Sequence, residues 1–259
     1  LNSETALLTL SHVNYRSSYL YNMKEVNEKA HAAGVLTIWD LSHSVGSVPV
    51  DLRTDGADMA VGCGYKYLNG GPGAPAFIYV RRALQNKLVS PVWGWFGDET
   101  PFEFNTEYSQ AKGIRKFLSG TPPVLSLSMM KPGIELIREA GIQNLRKKSV
   151  EQSEYMLSLV KGWLTEQGIE IASPEDPQER GSHIALRHPD AYRICRALTD
   201  PNEGEYVVIP DFRDPDIIRL GIAPVYTSFS DIYHGVREIR KVMEKKVFKK
   251  YNQNREEVT

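Results

Sequence analysis

Two short apolar runs, each ending where the side chains become chemically useful, constrain this chain more than any other feature. The first, Val35-Leu36-Thr37-Ile38-Trp39, is β-branched and apolar on both faces, the pattern of a strand buried in a parallel sheet, and it ends on Asp40. The second, Ala57 to Val61, opens into Gly62-Cys63-Gly64-Tyr65-Lys66-Tyr67-Leu68-Asn69-Gly70-Gly71-Pro72-Gly73, where one lysine sits 26 residues after Asp40. Open α/β sheets bind ligands beyond the carboxyl ends of their strands, so Asp40 and Lys66 are both expected at such an edge. His43, three residues past Asp40, leaves the same strand end. Glycines 62 and 64 let the backbone pass close to a bound ring.

An acid at the end of an apolar run suffers a desolvation cost that a cationic partner offsets, and a pyridinium ring is one such partner. A desolvated lysine near other cationic groups has a lowered pKa and becomes a usable nucleophile and base. Together they form the pair that pyridoxal phosphate chemistry needs. The amine forms a Schiff base with the cofactor aldehyde, and the carboxylate keeps a proton on the pyridine nitrogen so that the ring can accept electrons. Taken singly, an Asp at a strand end is more often a turn or cap residue, and a Lys in a glycine-rich loop is more often solvated. Order, spacing and the two apolar approaches favour the functional reading.

The blocks Asp40-Leu-Ser-His43 through Leu52, and Asp55 through Tyr65-Lys66 to Pro75, resemble kynureninase, especially its bacterial forms, which belong to the aspartate aminotransferase fold superfamily. The resemblance continues through Gly94-Trp95-Phe96-Gly97, Phe117-Leu-Ser-Gly-Thr121-Pro-Pro, Arg146-Lys-Lys-Ser149 and Arg219-Leu-Gly-Ile-Ala-Pro-Val-Tyr226. Related desulfurases and class V aminotransferases typically carry a histidine just before the lysine, where this chain has Tyr65. The resemblance implies an α/β fold of type I among pyridoxal-phosphate enzymes. Residues 1–140 would be the C-terminal part of the large cofactor domain, with a mainly parallel sheet, and 141–259 a smaller C-terminal α+β domain. It implies pyridoxal 5'-phosphate held by Lys66, which would also shuttle the substrate α-proton. Asp40 would pair with the pyridine nitrogen, and Ser11, His43, Tyr65, Trp95 and Thr121 would contact the cofactor. Trp95 and Thr121 would come from the neighbouring subunit of a homodimer. Tyr65 would serve as a general acid, and Arg219 would clamp the substrate carboxylate. The reaction implied is hydrolytic Cβ–Cγ cleavage of L-kynurenine, or of 3-hydroxykynurenine, to anthranilate (or 3-hydroxyanthranilate) and L-alanine in tryptophan catabolism. Two alternatives stand beside it: another class V aminotransferase-like enzyme of the same superfamily (an aminotransferase, desulfurase or lyase), and a truncated, non-catalytic polypeptide.

The structural alternatives for these residues are ordinary ones. Ser11 could cap a turn, Trp95 could be plain core, and Thr121 before two prolines could cap a helix. Arg219 alternates with Ile218 and Leu220 and by itself fits a solvent-facing arginine.

The start of the chain bears on the same question. The sequence runs from Leu1-Asn2 almost directly into Ala6-Leu7-Leu8-Thr9-Leu10, with no Gly/Ser-rich phosphate cup and no stacking aromatic before it. In the family both features lie in an N-terminal segment, so the chain reads as the C-terminal part of a larger enzyme. Its 41% hydrophobic content and net charge of −1 describe an ordinary globular protein without a general pull toward nucleic acid or anionic membrane. Two cysteines, Cys63 and Cys195, make no disulfide framework and fit a reduced, cytoplasmic setting. No apolar stretch approaches the ~20 residues of a membrane span, and the histidines show no metal-ligand spacing, so neither membrane nor metal is expected.

Along the chain, a strand over Leu7–Leu10 is followed by a helix with Asn22 as cap, Glu25 as capping-box partner and Met23, Val26, Ala30 and Ala33 on one face, ended by Gly34. A strand is expected over Ala76–Val80. Residues 85–122 are irregular and aromatic-rich, which suggests a wall of the active site. Helix is expected from Val124 to about Gly168 with a break at Gly141. Strands follow near Ser182–Leu186, Tyr206–Ile209 and Ile217–Ile222. A last helix is capped by Ser228 and Asp231, with Ile232, Val236, Ile239, Met243 and Val247 inward and its lysines and arginines solvated.

Overall fold

A computed structural model describes residues 1–2, 4–201 and 206–252. The chain divides into two compact units: Leu1–His12, Asn22–Val45 and Val50–Leu136 form the first, and Val13–Tyr21, Gly46–Pro49 and the chain from Ile137 onward form the second.

The first unit is built on four strands, β1 (Leu7–Ser11), β2 (Leu36–Asp40), β3 (Met59–Cys63) and β4 (Ala76–Val80), in that spatial order. The first three run parallel and β4 is antiparallel to β3. The register sets Ser11 beside Asp40, and Asp40 beside Val61, so the carboxyl ends of three strands share one edge.

Helix α1 (Met23–Ala32) connects β1 to β2. Asn22 Oδ1 accepts from the Glu25 amide, while the Glu25 carboxylate pairs with Lys29 at 2.6 Å. Met23 and Ala30 are buried and Val26 is half-buried, but Ala33 is exposed, because the helix has ended and the chain is already turning through Gly34 at φ +73°. The buried Trp39 indole donates to Asn27 Oδ1 at 2.9 Å, which ties β2 to α1. At the opposite edge of the sheet the fully buried Asp58 accepts from the Thr37 amide at 3.0 Å and pairs with His31 (2.8 Å) and Arg81 (2.7 Å).

β2 is not buried on both faces as its composition suggests. Thr37 and Trp39 are buried, whereas Leu36 and Ile38 are half-buried. The same side of the sheet leaves Leu7, Val61 and Ile78 exposed, at 45%, 39% and 44%. Beyond β4 come the short helix α2 (Arg82–Gln85) and two 3-10 turns, Trp95–Gly97 and Gly113–Phe117. Trp95 packs against Phe96, Phe102 and Phe104, and its indole N–H donates to the Pro101 carbonyl. Helix α3 (Val124–Ala140) follows. Its Gly133 is buried where a Cβ would lie 2.4 Å from the Leu68 carbonyl oxygen.

In the second unit Gly141 (φ +78°) separates α3 from α4 (Ile142–Trp163). Strands β5 (Glu170–Ile171), β6 (His183–Arg187), β7 (Asp211–Arg213) and β8 (Ile217–Gly221) form an antiparallel sheet in the order β5-β6-β8-β7. Helices α5 (Ala191–Thr199) and α6 (Phe229–Glu244) complete the unit. Val160, Leu164, Ile184, Leu186, Ile194, Ile218, Val236 and Ile239 meet in its core. The Ser228–Asp231 capping box forms with both bonds in place, and Ile232, Val236, Ile239 and Met243 are buried. Val247 falls outside α6, because the chain turns at Lys246 (φ +52°) into a 3-10 turn.

No strand forms over Tyr206–Ile209. Val207 and Ile209 are exposed, and Pro210, which has no N–H to give a ladder, precedes the three residues that do pair with β8. Among the described residues no helix is long and apolar enough to cross a membrane.

Candidate active site

The carboxyl edge of β1, β2 and β3 gathers five of the expected side chains. Ser11 closes β1 and Asp40 closes β2, in register, and the Ser11 hydroxyl donates to Asp40 Oδ2 at 3.4 Å. As the chain leaves β2 it turns, and the Ser42 amide donates to Asp40 Oδ1 at 2.9 Å. Both donors are neutral. They orient the carboxylate without neutralising it, which leaves its charge available to a cationic N–H.

The same turn carries His43, whose Nε2 lies 3.2 Å from Lys66 Nζ. Lys66 and Tyr65 leave β3 in the glycine-rich turn, with the Lys66 ammonium 5.5 Å from the centre of the Tyr65 ring. The turn closes on itself: the Gly70 amide donates to the Gly64 carbonyl at 2.9 Å, and the Gly64 amide to the Pro75 carbonyl at 3.0 Å. Gly64 has no room for a side chain, since a Cβ would lie 2.3 Å from Met130 Sδ and 2.7 Å from the Pro75 oxygen. The Tyr65 phenol is pushed above its ordinary pKa by desolvation, then by neighbouring Cys63 and by the charge of Asp40. It therefore stays protonated through neutral pH, in the state of a proton donor.

The other three expected residues are not members of this cluster. Trp95 is 44% exposed and packs within its own aromatic group, so it is not core. Thr121 is exposed in the stretch before α3. Arg219 belongs to the second unit. Far from facing solvent, it is 8% exposed, donates from Nε and Nη2 to Asp211 Oδ2 at 3.2 and 2.6 Å, and donates from Nη1 to the Tyr15 carbonyl at 2.7 Å.

Sequence reasoning passed over three contributors. The Ser42 amide acts through the backbone, which no residue type announces. Met130 reaches the turn at Gly64 and Gly70 from α3, over a separation no local pattern encodes. Asp211 begins a three-residue strand too short to register as a period-two pattern, although the Asp-Phe-Arg alternation is a faint trace of it.

The donor set suits a pyridine cofactor. A primary amine and a carboxylate held by a hydroxyl and an amide share one sheet edge, a phenol stands beside the amine, and the backbone turn between them is packed without slack.

Comparison with known proteins agrees with this geometry. Residues 145–239 match the family model of the kynureninase C-terminal domain. The chain is 37% identical over 248 residues to a kynureninase of Pseudomonas fluorescens, covering 96% of this chain and 58% of that protein. It is 38% identical over 244 residues to a kynureninase of Burkholderia mallei, covering 94% and 58%. Among solved structures it superposes on a cysteine desulfurase from Thermococcus onnurineus NA1 with a TM-score of 0.78 at 15% identity, covering 94% of this chain and 61% of that one. It superposes on a C-DES mutant with glycine covalently linked to its PLP cofactor with a TM-score of 0.78 at 17% identity, covering 93% and 61%. The fold is that of the type I pyridoxal-phosphate enzymes. The chain is similar to kynureninases along most of its own length and spans 58% of the length of the curated relatives it matches.

Proposed function

We propose that the protein carrying this sequence is a kynureninase that binds pyridoxal 5'-phosphate and hydrolyses the Cβ–Cγ bond of L-kynurenine, giving anthranilate and L-alanine. The observation that carries this reading is the meeting of Lys66, His43, Tyr65 and an Asp40 carboxylate held by neutral donors at one sheet edge. Identity of 37–38% to kynureninases over 94–96% of the chain supports the substrate. The division into a cofactor domain over 1–140 and a smaller domain over 141–259 is part of the same proposal.

When bound, the cofactor supplies an electrophilic carbon and an electron sink conjugated to the substrate's α-carbon. Lys66 Nζ anchors it, then takes the α-proton and returns it. Asp40 keeps the pyridine nitrogen protonated, held in aim by Ser11 and the Ser42 amide. His43 sits against the amine and sets where its nitrogen points. Arg219 receives the substrate carboxylate with its planar fork. A water molecule adds at the γ-carbonyl, whose carbon leaves as the carboxylate of anthranilate. The β-carbon takes a proton and leaves in L-alanine, and the Tyr65 hydroxyl is placed to supply protons to that sequence. Trp95 and Thr121 are assigned to the cofactor of a neighbouring subunit in a homodimer. The exposure of Trp95, Phe102 and Phe104 supports a partner at that surface.

The test is spectroscopic and chemical together. Adding pyridoxal phosphate to the full protein should produce an absorbance band that Lys66→Ala abolishes, and L-kynurenine should then yield fluorescent anthranilate. A band without anthranilate, together with sulfide release from cysteine, would point to a desulfurase. No band at all would point to a non-catalytic polypeptide.

A further inference from the structure

In the second unit, Asp211 on β7 and Arg219 on β8 are direct cross-strand partners in the antiparallel register. Such partners hold their Cβ atoms within about 5.5 Å on one face of the sheet, close enough for a carboxylate to grip a guanidinium from the side. Asp211 Oδ2 accepts from both Nε and Nη2 of Arg219, while the Tyr15 carbonyl accepts from Nη1 on the far side of the plane. The other carboxylate oxygen, Oδ1, lies 3.8 Å from Arg213 Nη2, so Asp211 is itself steadied from its own strand. The guanidinium plane is thus fixed at two edges by groups of opposite or partial negative charge, one from β7 and one from the segment after β1. The Arg219 side chain is 9% exposed and that of Asp211 56%. A long arginine fixed in this way approaches a ligand with its fork already ordered, so less freedom is lost on binding.

We propose that Asp211, with the Tyr15 carbonyl, is a positioning residue that fixes the Arg219 guanidinium for the carboxylate of an α-amino acid substrate; this rests on the reading of Arg219 given above. Two forces compete at Asp211. Its charge weakens the pull of Arg219 on a second carboxylate, and its grip pre-orders the fork. The paired contact from Nε and Nη2 to one oxygen favours the ordering effect, because a planar fork discriminates by geometry as much as by charge.

The experiment compares Asp211→Ala, Asp211→Asn and Arg219→Ala in the full, cofactor-loaded protein. Michaelis parameters for L-kynurenine are measured alongside calorimetric titration of L-alanine and thermal unfolding. The expected result is a KM about tenfold higher in Asp211→Ala with kcat within twofold, L-alanine binding weakened in parallel, and a rise of about two- to threefold in Asp211→Asn, which keeps an acceptor oxygen. A raised KM in Arg219→Ala with an unchanged one in Asp211→Ala would overturn the positioning role while leaving the site reading intact. An unchanged KM in Arg219→Ala would overturn the carboxylate clamp, and this inference with it. If Asp211→Ala unfolds, the Asp211→Asn values decide: an unchanged KM there, with L-alanine binding also unchanged, rejects the role.

Discussion

Lys66 Nζ lies 3.2 Å from His43 Nε2, although the two residues leave different strands and are 23 positions apart. The contact makes the imidazole a direct neighbour of the amine proposed to hold the cofactor, and its removal has a definite expected effect. A hydrogen bond to a charged group contributes about 1.5–3 kcal/mol, so His43→Ala should weaken pyridoxal phosphate binding about ten- to a hundredfold. His43→Gln, which keeps a polar atom near that position, should recover part of the loss. Absorbance titration with the cofactor reads both. Affinity within twofold of the natural protein in His43→Ala would rule the contact out as a contributor.

The Tyr65 phenol should ionise above the ordinary tyrosine range, because desolvation, Cys63 and the Asp40 charge all oppose a phenolate there. The sign follows from the neutral form being favoured in the fold. Its contribution to stability is fully present below the pKa of the unfolded chain and is lost as pH rises through the higher folded value; with 53% of the residue exposed the effect is small. Ultraviolet titration of the natural protein against Tyr65→Phe should place the missing transition above pH 10. A Tyr65 transition below pH 10 would contradict the assignment.

Gly64 tolerates no side chain, since its Cβ would press on Met130 Sδ and on the Pro75 carbonyl. The methionine can swing aside, but the carbonyl cannot, because the Gly64 amide bonds to it. Gly64→Ala should therefore cost about 1–3 kcal/mol, the usual range for overpacking, and should displace the turn that aims Lys66 two residues later. Urea unfolding measures the first effect and cofactor absorbance the second. Adding Met130→Ala should restore only part of either. Full restoration by that second change would show that the methionine, not the backbone, sets the limit.

What the sequence determined by itself was local. β4 forms over the expected five residues, Gly141 breaks the long helix by turning to positive φ, and Ser228 with Asp231 caps α6, because each signal is complete within a few neighbouring residues. Asp40 and Lys66 were placed at one edge for the same reason: a strand of known direction delivers Asp40, its last residue, to a known edge, and Lys66 follows three residues after the neighbouring strand ends. Where a local signal misled, as at Val207–Ile209, a proline and pairing by the next three residues overrode β-propensity. The tertiary structure decided everything that depends on distant partners. Arg219 reads as a solvent-facing residue of an alternating strand, yet it is buried, because Asp211 and a carbonyl 204 positions away satisfy its guanidinium. β2 reads as apolar on both faces, yet Leu36 and Ile38 stay partly open. Periodicity reports which side chains could be covered, and only the assembled chain supplies the atoms that cover them.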